Sequence, residues 1–171
     1  MRKVNIILLI ILIALIGGSS YYIFFHDNAE DIDYSLYLSI KQELVEKKEY
    51  DTFNDANIVA NKKLIANDKY NVVITIDEAK YDMKDIDLLV IDKNELTEPL
   101  DIFYPSLGLI NDDKINIISG ELTNENNVKG VNVSFHTPNN IDKVLIYFAF
   151  TNSEEQRVTK YIEVNVNVAS W

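Results

Sequence analysis

From Val4 to Phe25 the chain runs for 22 residues without a charged side chain. Ile6 to Ile16 is an unbroken apolar run, IILLIILIALI, followed by Gly17-Gly18-Ser19-Ser20 and then YYIFF. As a helix the stretch measures about 33 Å, enough to cross a hydrocarbon core of about 30 Å. Lipid offers a backbone no hydrogen-bond partners, so a crossing segment of this kind must be helical. Tyr21 and Tyr22 fall where interfacial aromatic residues belong. The expected membrane anchor therefore runs through Ile6, Leu9, Leu12, Ile16, Tyr21 and Phe25. Arg2 and Lys3 precede it, and Asp27, Glu30, Asp31 and Asp33 follow. The positive-inside rule then puts the N-terminus in the cytoplasm and the remainder outside. The competing expectation is a cleaved signal peptide with Ile6–Ile16 as its apolar region and Gly17–Ser20 as its small-residue site. YYIFF prolongs the apolar stretch and no A-x-A motif is present, which favours an uncleaved, single-pass anchor. The abundance of Asn, Ile and Lys suggests a bacterial chain, with the anchor in the cytoplasmic membrane and the domain in the periplasm or extracellular space.

Beyond the anchor the chain has about one domain's length. It is rich in Val, Ile, Leu, Tyr and Phe, so it can bury a core and is not the composition of a disordered chain. The net charge of the chain is -11, which repels nucleic acid and anionic headgroups and suits solubility. There is no cysteine, which excludes disulfides, thiolate catalysis and zinc–thiolate sites.

The periodicity of apolar residues changes along this part. Leu36, Ile40 and Leu44 recur at helical spacing, with Asp33 as an N-cap. Phe53, Ala56, Ala60 and Leu64 continue that spacing and predict a second helix starting at Asp51. From Tyr70 the period becomes two. Tyr70–Ile76, Ile86–Val90, Leu100–Tyr104, Ile115–Ile117, Val131–Phe135, Val144–Phe150 and Ile162–Val168 read as seven strands. Turn residues separate several of them: DKNE at 92–95, TNENN at 123–127, TPNN at 137–140 and TNSEE at 151–155. VLIYFAF is apolar on both faces and is expected mid-sheet with Phe148 in the core, whereas Glu163, Asn165 and Asn167 are expected to face water. The expected organisation is a cytoplasmic tip and anchor at 1–25, a juxtamembrane helical segment at 26–69, and an all-β, immunoglobulin-like antiparallel sandwich at 70–171.

Residues able to carry chemistry are sparse. The two histidines, His26 and His136, are far apart and neither has a second histidine nearby. A transition-metal site needs several converging ligands, so no metal is expected. The carboxylates Asp82-Asp85-Asp87 and Asp112-Asp113 do not match a calcium loop, and Asp85 and Asp87 alternate as a solvated strand face would. There is no G-x-S-x-G, phosphate-binding loop or dinucleotide fingerprint. No catalytic residue and no cofactor are expected, and the chain is read as a non-enzyme.

The order of segments resembles the FixH-like family, single-pass bacterial proteins linked to copper delivery and maturation of a haem-copper oxidase. The resemblance is carried by LLVIDKNELTEPL at 88–100, IFYP at 102–105, DDKINI at 112–117, GVNVSFHTP at 130–138 and QRVTKYIEVNV at 156–166. Tyr104 stands where the family usually has Arg, and Val144 near where it usually has Trp. The resemblance implies an accessory protein with a membrane-protein partner and brings no catalytic residues or copper ligands with it. The alternative expectation is an anchored binding module for a cell-envelope ligand or protein, with no nucleic-acid partner.

Overall fold

A computed structural model of the protein describes residues 34–66, 69–93, 103–110, 114–122 and 125–169. The expected anchor, with Ile6, Leu9, Leu12, Ile16, Tyr21 and Phe25, lies outside the described residues. So do Asp33, the expected strand positions Leu100 and Ile102, and Asp112-Asp113. Among the described residues no helix is long and apolar enough to cross a membrane.

The described helix, α1, spans Ser35–Glu46. Its buried face is Tyr37, Ile40, Lys41 and Leu44, while Leu36 is exposed, so the covered stripe is turned slightly from the one the spacing suggests. The second expected helix does not form. Asn57–Ala66 is instead the first strand, β1. Phe53, Ala56 and Ala60 do pack on the core, but from a crossing segment and a strand, while Leu64 is exposed. NIVANKKLIA is the reason: Ile58, Ala60 and Lys62 also lie on one face at a period of two. Apolar residues four apart fit both periods, and pairing with the next strand decides between them.

The remaining strands are β2 (Lys69–Asp77), β3 (Lys84–Asp92), β4 (Ser106–Leu107), β5 (Asn116–Ile117), β6 (Asn127–Val128), β7 (Val131–Thr137), β8 (Lys143–Thr151) and β9 (Arg157–Val168). Seven of them form a mixed sheet in the order β4-β3-β8-β9-β1-β2-β7, and β5 pairs with β6 separately. The expectation of a wholly antiparallel sandwich is corrected at two places: β5 and β6 pair in parallel, and so do β9 and β1. β9 leaves β8 at its far end and pairs in parallel with β1, from Ala60↔Val166 to Lys62↔Val168. The physical cause is the length of β9: its 12 residues outrun the 9 of β8, and the free end takes a new neighbour.

Two apolar layers result. Val72, Ile74, Ile76, Val131 and Val133 share one core with Ile86, Leu88, Val90, Ile146, Phe148 and Phe150, so the β1-β2-β7 portion faces the β3-β8 portion in a sandwich-like arrangement. The opposite face of β3 and β8 carries Leu89, Ile91, Leu145, Tyr147 and Ala149, and α1 covers it with Tyr37, Ile40 and Leu44. β8 is therefore buried from Val144 to Phe150, as a strand apolar on both faces must be. The Tyr37 hydroxyl accepts from the Tyr104 backbone N–H at 2.8 Å, and burial pushes that phenol up to about 12.

Lys62 is a charged exception in the interior, only 5% exposed. Its ammonium donates to the Ile141 carbonyl at 2.6 Å and to Asp142 at 3.1 Å, which satisfies the charge and ties β1 to the turn before β8.

Candidate functional site

Two of the open clefts among the described residues border β9. The first, about 320 Å³, lies at the start of β3 and is lined by Asp85, Asp87, Gly108, Lys114, Thr151 and Arg157. A register shift between Lys84 and Asp87 against β8 makes room for it, and Asp85 takes a left-handed backbone with φ of 50°. The Asp85 N–H donates to the Asn116 side chain at 2.9 Å, which holds that turn. Arg157, the first residue of β9, donates to the Asp85 carbonyl and forms an ion pair with the Asp87 carboxylate. Burial pushes the Asp87 carboxyl above its ordinary value, and the Arg157 guanidinium pulls it partly back. Gly108 closes the cleft with φ of +69°. A Cβ there would strike the Asp87 carboxylate and lie 2.6 Å from the Ile86 carbonyl oxygen.

This corrects the reading of Asp85 and Asp87 as one solvated face. Asp87 is half-buried and paired with Arg157, while Asp85 lies 3.9 Å from Lys114. Asp82 points elsewhere and accepts from the Ser119 N–H and hydroxyl at 2.9 and 3.0 Å, bonds that hold its carboxyl below the usual range. The three acids thus have separate partners. Among the described residues no group of three or more His, Cys, Asp or Glu is placed to hold a metal ion. His136 is exposed on β7, and His26 lies outside the described residues. Opposed charges in the first cleft satisfy one another, so its chemistry is that of a polar lock between β3, β9 and the β4 loop.

The second cleft, about 540 Å³, runs beside β9 between Asp51-Thr52-Phe53, Ile58 and Ile162–Asn165. It is made by a strap that leaves α1 and crosses to β1. Asp51 grips β9 twice: its N–H donates to the Tyr161 carbonyl at 2.6 Å, and its carboxylate accepts from the Tyr161 N–H at 2.8 Å. Phe53 then enters the core edge-on to Phe148, with ring centres 5.5 Å apart. At the strap's end the Asp55 carbonyl accepts from Lys80 N–H at 2.8 Å, and its carboxylate accepts from Tyr81 Oη at 2.9 Å. That hydrogen bond and burial push the Tyr81 phenol up to about 12, with burial the larger cause. Between the Tyr161 grip and the Ala60↔Val166 pair, β9 has no registered neighbour among the described strands on this side. The gap is the cleft.

Glu163 on the rim was expected simply to face water. It is 21% exposed and bridges two ammonium groups, Lys93 and Lys143. Hydrogen bonds from both hold its carboxyl below the ordinary glutamate value. Sequence reasoning missed Asp51 and Phe53 as organisers of this cleft, because the helical stripe absorbed them. The available signal was KKEYD, a polar break directly before Thr52. No family model matches this chain, and no significant match is found among curated proteins or solved structures.

Proposed function

We propose that this chain is a non-enzymatic, membrane-anchored accessory protein that holds a small domain outside the cytoplasm to bind another membrane protein. The observation that carries this reading is the uncharged Val4–Phe25 stretch, with Arg2 and Lys3 before it and acids at 27, 30, 31 and 33 after it. The likeness of its segment order to FixH-like proteins suggests the partner's class: a respiratory oxidase or copper-transport complex under assembly. The fold is read as an immunoglobulin-like sandwich. In support, β4-β3-β8-β9 and β1-β2-β7 are successive portions of the strand order, joined by a parallel β9–β1 contact. Sandwiches of this kind bind through loops, clefts and edges.

A second reading, an anchored module for a cell-envelope ligand or protein, draws on the cleft beside β9. Phe53 and Ile58 offer apolar contacts there, and Asn165 and Asn167 offer hydrogen bonds.

Protease added to spheroplasts expressing the full chain should remove the domain. Protection until lysis would overturn the orientation. Affinity purification from native membranes separates the two readings. Oxidase or copper-pump subunits support the first, and envelope glycans or surface proteins support the second.

A further inference from the structure

β7 ends the seven-stranded sheet, and no described strand pairs with its outer edge. One bond determines which groups that edge presents. The Ala169 N–H donates to the Lys62 carbonyl at 2.9 Å, so even-numbered residues of β1 turn their backbone groups toward β9 and odd-numbered ones toward β2. Carried through the registers Asn61↔Val73 and Ile74↔Val133, the alternation leaves Asn132, Ser134 and His136 with N–H and C=O directed away from the sheet.

Natural edge strands are usually blunted by charge, proline or a bulge. VNVSFHT contains no Asp, Glu, Lys, Arg or Pro, and its register with β2 is unbroken from Tyr70↔Thr137 to Ile76↔Val131.

We propose that a second copy of this chain adds its own β7 to this edge, antiparallel about a two-fold axis through Ser134. The sequence is self-complementary in that register. On the core-facing side, Val133 of one copy meets Phe135 of the other, and Val131 meets Thr137. On the exposed side Asn132 meets His136, and Ser134 meets itself. A β-branched residue opposite an aromatic one is a favourable cross-strand pair, and no like charges are opposed. The outward backbone groups of Asn132, Ser134 and His136 all find partners, because residues opposite one another across that axis are hydrogen-bonded pairs. Val133 is already buried within its own chain, whereas Phe135 at this margin is only partly buried, and the added strand extends its cover. The net charge of -11 opposes association, so pairing strengthens as salt screens it. Contact with a basic partner would weaken instead. The pairing depends on the edge alone and not on the anchor.

The chain has no cysteine, so a single introduced thiol reports the geometry. In the purified full chain under mild oxidation, Ser134→Cys should form a disulfide-linked dimer. Asn132→Cys should not, because its two copies would lie roughly 14 Å apart, beyond disulfide reach. The yield ratio should exceed about tenfold, and Asn132→Cys with His136→Cys in one chain should restore linking. Ser134→Lys, at an exposed position, keeps the fold and should shift the unlinked protein from dimer to monomer in mass measurements. Equal linking by Ser134→Cys and Asn132→Cys would overturn the proposal. So would a wild-type chain that stays monomeric as salt is raised, or Ser134→Cys linking to a different protein in native membranes.

Discussion

Phe148 shows how a single position holds several layers together. It is fully buried, lies edge-on to Phe53 of the strap, and is tilted against Phe150 at 5.4 Å between ring centres. Its backbone belongs to β8, in register with Leu88 of β3 and Lys160 of β9. A charge placed there has no partner and no water, a burial that costs several kcal/mol. A domain of this size has only about 5–15 kcal/mol of stability in all. Phe148→Asp is therefore expected to abolish cooperative folding, read as the loss of a sigmoidal urea transition. A midpoint near wild type would contradict the burial. Lys62 is the instructive contrast, since a charge is tolerated inside where a carbonyl and a carboxylate stand at 2.6 and 3.1 Å.

At the scale of elements, β9 is the organiser. It pairs with β8, takes the strap at Tyr161, passes the open cleft and then joins β1 in parallel. Glu163 fastens its outer face to Lys93 after β3 and to Lys143 at the start of β8. Its folded carboxyl lies below the ordinary value of 4.5, with the lysine hydrogen bonds as the cause. A depressed folded value means the pair stabilises fully above the ordinary value and fades as pH falls through the folded one. Glu163→Gln should thus lower stability at neutral pH, by at most about 1 kcal/mol because the lysines are partly exposed. The gap from wild type should close as pH falls below the ordinary glutamate value. Urea melts at several pH values measure it, and a gap independent of pH would show that the carboxylate plays no part.

Across the whole molecule the acidity acts as self-repulsion. With a net charge of -11 the compact state concentrates like charges that the unfolded chain spreads out. Salt shortens the range of that repulsion to about 8–10 Å at ordinary ionic strength. The thermal midpoint should therefore rise from low to moderate salt. A fall would mean that the screened ion pairs at Glu163 and Arg157 outweigh the general repulsion. The same alternation of residues that builds the sandwich-like core also leaves one straight, uncharged edge at β7, so stability and association share one origin.

Much of this fold was legible in the residues alone. Period-two patterns announced β2, β3, β7, β8 and β9, because a strand with one buried face must alternate. VLIYFAF announced its central place, because only a strand covered on both sides is apolar throughout. The Asn152 turn was legible too: its side chain accepts from the Glu154 and Gln156 N–H groups at 3.0 and 2.9 Å, a local bond that needs no distant partner. What the sequence left open was decided by contacts between residues far apart in the chain. β1 became a strand because β2 and β9 offered it hydrogen bonds, whereas its apolar spacing fitted a helix equally well. Both clefts likewise depend on distant pairs, Asp51 with Tyr161 and Asp87 with Arg157, and periodicity is blind to which strand ends meet.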